Sequence, residues 1–359
     1  MSETPARFHV AVIPGDGIGP EVVDAALPAV EAAAALDGAA LEFERLPWGA
    51  DHFLSTGETL PEEGFAHLRD DVDAIFLGAL GDPRVPGNEH ARDILLGLRF
   101  RLDLYVNFRP CRLLLPSLCP LREREPGAER KIDFAIFREN TEGVYLGRGT
   151  EEAVGTPEEV RIAHEVHTAR GVRRILQAAF EWAEADGRTR ITMCDKSNAV
   201  PAHRLWGRLF EEVGAAFPRI EREHRYVDAL AMELVRAPER FEVIVTNNLF
   251  GDILSDLGAE LVGGMGLAGS ANLHPGRPGL FEPVHGSAPT IAGRGIANPL
   301  AAVLTGSLML AQLGLPRAAA ALEDTVRAAL RQEVTTSDLG GHASTQEVGA
   351  WIVERLRSH

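Results

Sequence analysis

The chain predicts an α/β fold with a largely parallel central sheet, and two observations carry that expectation. Short apolar runs alternate with helical stretches along its 359 residues, and no low-complexity tract or internal repeat interrupts them. Residues 8–13 form the first apolar run, ending at the turn Pro14-Gly15-Asp16-Gly17, and the alanine-rich residues 21–35 follow as a helix. A second strand covers residues 74–78. Further strands are expected at 132–137, 190–193 and 241–245, with helices at 169–185 and 201–213 between them. Residues 147–157 are polar, contain glycine and join no core element, so they read as a surface arm.

Composition narrows the function. Hydrophobic residues make up 45% of the chain, enough for one large or two ordinary domains. The formal net charge of −16 argues against nucleic acid, which needs a basic face to release counterions. It leaves room for a small anionic substrate, because arginines a few ångströms away outweigh a global charge screened over about 8 Å. No apolar run reaches the roughly 18 residues of a membrane span, and residues 1–7 are short and polar; the chain reads as soluble and cytoplasmic. Cys111, Cys119 and Cys194 are odd in number and lack metal-ligand spacing, so they read as reduced thiols, at least partly in the core.

The chemistry concentrates in Asn248-Leu249-Phe250-Gly251-Asp252-Ile253-Leu254-Ser255-Asp256. Four-residue spacing on a helix puts Asp252 and Asp256 on one face, where like charges call for a hard cation such as Mg²⁺ or Mn²⁺. A solvated acidic face is the alternative for such spacing in isolation. Against it stand the buried-strand pattern of Val243-Ile244-Val245 and the turn expected at Gly251 before the helix. Arg99, Arg109 and Arg138 stand beside apolar stretches; converging, their guanidinium forks would suit a substrate with two or three carboxylates, and singly each would be an ordinary ion pair. Lys196 follows a strand end, where it can act as a base or polarise an alcohol oxygen. Tyr145 is a proton donor or a core tyrosine with a satisfied hydroxyl.

Two loops remain. Glu282-Pro283-Val284-His285-Gly286-Ser287-Ala288-Pro289 is rich in turn residues, and its backbone N–H groups with His285 can hold an adenine nucleotide or serve structure alone. The Gly15-Asp16-Gly17-Ile18-Gly19-Pro20 turn has G-x-G-x-G spacing and no convincing acidic residue about 20 positions on, so the ordinary Rossmann fingerprint is rejected in favour of a tight βα turn near an active site.

Taken together, these segments resemble the β-decarboxylating dehydrogenases, the family of isopropylmalate, isocitrate, homoisocitrate and tartrate or D-malate dehydrogenases. The resemblance runs in register over nearly the whole chain. It begins with Ile13-Pro14-Gly15-Asp16-Gly17-Ile18-Gly19-Pro20-Glu21 and continues with Leu102-Asp103-Leu104-Tyr105-Val106-Asn107-Phe108-Arg109-Pro110. Arg138-Glu139-Asn140-Thr141-Glu142-Gly143-Val144-Tyr145, Asp195-Lys196-Ser197-Asn198 and Tyr226-Val227-Asp228-Ala229 follow, then the aspartate motif. It closes with His285-Gly286-Ser287-Ala288-Pro289 and Gly295-Ile296-Ala297-Asn298-Pro299.

The resemblance implies an isopropylmalate dehydrogenase-like two-domain fold: a large cofactor-binding domain from residues 1–104 and 264–359, and a small domain from 105–263 with the dimer interface and an arm at about 146–165. It further implies a homodimer with shared active sites. Arg99, Arg109 and Arg138 would clamp the carboxylates of a 2-hydroxy acid with a β-carboxylate. Asp252 and Asp256, with Asp228 of a second copy, would hold Mg²⁺ or Mn²⁺; Lys196, also from the second copy, would assist proton removal from the hydroxyl, and Tyr145 would protonate the carbon left by CO₂. Glu282, His285, Gly286, Ser287, Ala288, Thr290, Asn298 and Asp338 would contact NAD.

Substrate choice in this family lies on one helical face formed here by Arg92, Leu95, Leu96 and Arg99. Leu95 and Leu96 look like the isopropylmalate members, where an apolar pair buries an isopropyl group; Arg92 stands where those members typically carry a glutamate, a charge reversal able to recruit a third carboxylate or a hydroxylated substrate. The expectation is 3-isopropylmalate in leucine synthesis, with isocitrate, homoisocitrate and tartrate or D-malate as family alternatives. NAD-specific members usually place an aspartate where Thr290 stands, whereas Asp338 resembles their acidic residue and disfavours a 2′-phosphate, so NAD is expected ahead of NADP. A catalytically silent regulatory subunit is the alternative of another class; the complete set Tyr145, Lys196, Asp228, Asp252 and Asp256 argues against it.

Overall fold

A computed structural model describes residues 6–122 and 129–358. Residues 1–5 of the polar N-terminal segment lie outside the described residues. The strands are β1 (Ala6–Gly15), β2 (Ala39–Arg45), β3 (Ala74–Ala79), β4 (Val106–Arg112), β5 (Asp133–Glu139), β6 (Gly149–Glu152), β7 (Val160–Ala163), β8 (Arg190–Asp195), β9 (Glu221–Tyr226), β10 (Val243–Thr246), β11 (Gly269–Leu273) and β12 (Gly279–Pro283). The helices are α1 (Gly19–Ala34), α2 (Ala50–Thr56), α3 (Glu62–Asp70), α4 (Glu89–Arg101), α5 (Ala169–Ala185), α6 (Arg204–Gly214), α7 (Val227–Arg236), α8 (Asn248–Leu261), α9 (Leu300–Gln312), α10 (Pro316–Arg331) and α11 (Thr345–Arg357). Among the described residues no helix is long and apolar enough to cross a membrane.

The chain folds into two compact units. One comprises Met1–Leu104, Leu113–Pro120 and Val262–His359, the other Tyr105–Arg112 and Leu121–Leu261. In the first unit the strands run β2-β1-β3-β12-β11, parallel except at β11/β12. Its core joins Ala11 and Ile13 of β1, Ile75 and Leu77 of β3, Phe65 and Leu68 of α3, and Ile94 and Leu98 of α4. The i, i+4 spacing of Ile94 and Leu98 turns one stripe of α4 to that core and leaves the opposite stripe free for other work.

In the second unit the order is β4-β5-β10-β8-β9, parallel except at β4/β5. Helix α5 buries Val172, Ile175, Leu176, Ala179, Phe180 and Ala183, a 3.6-residue period, and Thr168 caps it by accepting a hydrogen bond from the Gly171 N–H at 2.9 Å. Phe180 stacks on Phe217 at 5.1 Å between centroids. The expected arm is a two-stranded antiparallel hairpin, β6/β7, whose strand residues are all exposed. Cys111 and Cys194 are buried and Cys119 is half-buried, all with free thiols; burial pushes the Cys111 thiol up to about 12, out of the range of ready nucleophilic chemistry.

Candidate active site

Helix α8 carries Asp252 and Asp256 on one face, directly after β10, and both belong to a network of charge in the second unit. Arg109 at the middle of β4 donates from Nη1 to Asp256 Oδ1 at 3.1 Å and to the Ser255 hydroxyl at 2.8 Å, and its Nε donates to Asn107 at 2.9 Å. Arg138 on β5 pairs with Asp252 Oδ1, and its Nε donates to Asn248 Oδ1 at 2.9 Å. The Tyr145 hydroxyl donates to Asp252 Oδ2 at 2.8 Å. Both arginines are buried, whereas the side chains of Asp252 and Asp256 are 35% and 44% exposed, so solvent and small ions reach the carboxylates. Burial raises the Asp256 carboxyl above its ordinary value; Arg109 opposes this and Asp252 adds to it.

Gly251 corrects one expectation. It lies within the first turn of α8 rather than in a turn before the helix. A Cβ there would stand 2.6 Å from the Arg138 Cβ, so the missing side chain lets β5 approach α8 and bring Arg138 to Asp252.

Lys196, just past β8, donates from Nζ to Asp228 Oδ1 at 2.6 Å, and Asp228 opens the first turn of α7. That hydrogen bond holds the Asp228 carboxyl below its ordinary value. Among the described residues, Asp228, Asp252 and Asp256 do not form a cluster of donor atoms within one chain; the clusters that do are His9, Glu44 and His67, and Glu165, His167 and His203.

In the first unit the α4 residues divide by environment. Arg99 is buried and donates to Glu282 Oε1 at 2.7 Å, an oxygen that also accepts from Asn272 at 2.9 Å. The Arg99 Nε is a buried donor without a hydrogen-bond partner. Leu95 is half-buried against the core, Leu96 is half-buried, and Arg92 is exposed, its nearest carboxylate Asp93 at 4.0 Å.

The loop after β12 is built on backbone geometry. Ile18 N–H donates to the Ser287 carbonyl at 2.8 Å, and a Cβ on Gly17, whose φ is +60°, would fall 1.9 Å from that oxygen. Glycine is required there both by conformation and by contact. His285 Nδ1 lies 3.1 Å from the Gly286 carbonyl and donates to it, leaving Nε2 as a buried acceptor without a partner, and burial lowers the imidazole pKa. Asn298 Nδ2 donates to Asp338 Oδ2 at 2.9 Å, packed over Gly266. Gly286 and Thr290 are exposed, and Ser287 and Ala288 half-buried.

The model of the family described as isocitrate/isopropylmalate dehydrogenase matches residues 9–352. The chain belongs to that family. The chain is 44% identical to a 3-isopropylmalate dehydrogenase of Thermobifida fusca, over 97% of each sequence, and 45% identical to one of Mycobacterium leprae, over 97% of this chain and all of the relative. Among solved structures, an isocitrate dehydrogenase from Methylococcus capsulatus superposes with a TM-score of 0.86 at 36% identity, covering 98% of this chain and 99% of its own. A β-decarboxylating dehydrogenase from Thermococcus kodakarensis gives 0.80 at 35%, covering 98% and 96%.

Sequence reasoning missed several residues that position the site of this isocitrate/isopropylmalate dehydrogenase family member. Asp16 is buried and accepts from the Ala50 and Gly81 N–H groups at 2.6 and 2.8 Å, and its Oδ2 lies 2.8 Å from the Nε2 of the fully buried His90. It anchors the glycine turn and borders a cavity of about 420 Å³ lined also by Gly15, Gly17, Trp48 and Arg84. Glu139 accepts from Thr141 N–H at 2.9 Å and Glu142 N–H at 2.8 Å, shaping the loop that carries Tyr145, and burial raises its pKa. His203 Nδ1 accepts the Lys196 N–H at 3.0 Å. An acidic residue inside a glycine turn was the visible signal for Asp16, and Glu139 lies two and three residues from its partners; for His203 the partner is visible only once folded.

Proposed function

We propose that the protein catalyses metal-dependent oxidative decarboxylation of 3-isopropylmalate to 2-oxoisocaproate with reduction of NAD, in the cytoplasm and as a homodimer. The observation that carries the reading is the α8 network: two half-exposed carboxylates four residues apart, backed by two buried arginines and a tyrosine hydroxyl. The similarity to 3-isopropylmalate dehydrogenases over nearly the full chain supports the substrate.

Asp252 and Asp256 suit a hard divalent cation. They are accessible oxygen donors on one helix face, and burial holds the Asp256 carboxyl above its ordinary value, a desolvation cost that a bound cation offsets. With Asp228 of a second copy as third donor they would hold Mg²⁺ or Mn²⁺, which, when bound, polarises the substrate hydroxyl and carboxylate as a Lewis acid. The loop after β12 suits an adenine nucleotide: the orphaned His285 Nε2 is a buried acceptor matched to an exocyclic amine, and Glu282, Gly286, Ser287, Ala288, Thr290, Asn298 and Asp338 complete the NAD contacts.

Arg109 and Arg138 hold substrate carboxylates with fork geometry, and the spare Nε donor of Arg99 gives it the same role. Lys196 assists removal of the hydroxyl proton as hydride leaves for the nicotinamide, and Tyr145 delivers a proton to the carbon vacated by CO₂. Leu95 and Leu96 bury the isopropyl group, a contribution of about 1.5–3 kcal/mol. A second copy is supported by apolar surface in the second unit: Met232 and Val235 of α7, Ile253 of α8, and Val160 and Ile162 of the hairpin are exposed.

The test is the purified protein with Mn²⁺ and NAD against 3-isopropylmalate, isocitrate, homoisocitrate, D-malate and tartrate. The highest kcat/KM is expected for 3-isopropylmalate. A preference for a tricarboxylate or a small hydroxy acid would mean that Arg92 outweighs the leucine pair and would overturn the substrate.

A further inference from the structure

We propose that His9, Glu44 and His67 form a second metal site in the first unit, one that takes a borderline divalent ion such as Zn²⁺ rather than Mg²⁺ or Mn²⁺. The site is built on three elements. His9 pairs in register with Glu42 across the parallel β1/β2 ladder, so Glu44, two residues on, shares a sheet face with His9. Helix α3 brings His67 to the same carboxylate. Glu44 Oε2 lies 3.0 Å from His9 Nε2 and 2.7 Å from His67 Nε2, and the two rings meet edge to face with centroids 5.8 Å apart.

Hydrogen-bond chemistry sets the tautomers. His9 Nδ1 faces the Asp71 carbonyl at 3.1 Å, and His67 Nδ1 faces the Asp71 carboxylate at 3.0 Å. Both partners only accept, so both Nδ1 atoms carry hydrogens, and in the neutral rings both Nε2 acceptors lie within 3.0 Å of a carboxylate oxygen that is itself an acceptor. Three acceptors this close need a positive centre among them. A proton on His67, favoured by its hydrogen bonds to Glu44 and Asp71, is one such centre and leaves His9 Nε2 unserved; one divalent ion serves both rings. Asp71 supplies the outer-shell support common in histidine metal sites, orienting each imidazole from behind. Two imidazole nitrogens and one carboxylate oxygen match the three-ligand open zinc site, in which donor atoms stand about 3.3 Å apart, so each nitrogen needs to move only a few tenths of an ångström away from Glu44 Oε2. The His9, Glu44 and His67 side chains are 30%, 38% and 29% exposed, which gives an ion access and the side chains room to adjust.

The chain contains its own control. Among the described residues Glu165, His167 and His203 form the other compact cluster, and there each ring has one nitrogen that accepts from a neighbouring N–H. His203 Nδ1 accepts from the Lys196 N–H at 3.0 Å and Nε2 donates to Glu165 at 2.9 Å; His167 Nδ1 accepts from the Trp206 indole at 3.4 Å, leaving its Nε2, 3.0 Å from Glu165, as the protonated nitrogen. Neutral rings leave no two acceptors facing each other there, although the His167 Nε2, 3.0 Å from Glu165, makes no hydrogen bond. The two clusters share composition and differ in what the remote nitrogens face.

Equilibrium dialysis against low-micromolar Zn²⁺, with excess Mg²⁺ occupying oxygen-ligand sites, tests the assignment by counting zinc per chain. Wild type should bind one more Zn²⁺ than H67Q or E44Q, and Zn²⁺ should raise its melting midpoint by a few degrees that the variants lack. H9Q provides the same comparison on another element should a variant fail to fold, and in wild type Co²⁺ should give the intense visible absorption of a four-coordinate site. Equal zinc in wild type and variants, or weak six-coordinate Co²⁺ absorption, would overturn the proposal.

Discussion

Helices α8 and α4 both carry residues expected to meet the substrate, and they are built in opposite ways. On α8 both aspartates have their counterparts within the same unit: Asp252 with Arg138 and Tyr145, Asp256 with Arg109. On α4 the face is divided: Arg99 is buried against Glu282, Leu95 packs on the core, and Arg92 is 74% exposed with only a 4.0 Å approach to Asp93. A mutually neutralising network tolerates little change, because removing one member leaves another buried and unpaired. An exposed arginine is free to vary. The proposed chemistry therefore sits where the structure constrains it, and the proposed substrate choice where the structure does not.

The largest effects should come from breaking the constrained side. D252N, K196M and Y145F should each lower kcat by about 10²–10⁴-fold, the usual worth of a proton-transfer group or a metal-assisted step. A variant that unfolds cooperatively like wild type but keeps activity within tenfold would remove its residue from the mechanism.

Acid stability probes the support behind Lys196. Contacts from His167 and His203 hold the Glu165 carboxyl down at about 2, against an ordinary value of 4.5. A carboxyl depressed on folding contributes stability that is present in full above pH 4.5 and is lost as the pH falls toward 2. E165Q should therefore lower the melting midpoint at pH 7 and flatten its fall between pH 4.5 and 2. An unchanged acid limb would mean that the contacts contribute nothing net.

The free side of the comparison should yield smaller shifts, in selectivity and not in stability. R92E should raise kcat/KM for 3-isopropylmalate relative to isocitrate by about tenfold, with a melting midpoint close to wild type, since exposed substitutions usually stay within about 0.5 kcal/mol. A large loss of stability would show that Arg92 has a structural task after all.

The same contrast explains what was legible in the sequence. The α8 aspartates, the strand before them and the helix at Ala169–Ala185 follow from local spacing and period, so they could be read from neighbouring residues. Gly251 could not, because its reason is Arg138, 113 positions away in the chain and one Cβ away in space. Asp16 with His90 and Arg99 with Glu282 are separated by 74 and 183 residues, and nothing local marks such pairs. Leu95 and Arg99 share a helical face by spacing, and only the fold shows how their surroundings differ, Leu95 packing against the core and Arg99 pairing with Glu282.

Lys196 and Asp228 form one group and Asp252 with Asp256 another, and the account holds that a second copy of the chain completes each site. Mixing inactive K196M with inactive D252N after reversible dissociation tests this directly, with 3-isopropylmalate, Mn²⁺ and NAD. Each mixed dimer would contain one intact site, so about a quarter of wild-type activity should return at statistical mixing. No recovery from a mixture shown to contain mixed dimers would place Lys196 and Asp252 in the same chain's site and contradict the shared arrangement.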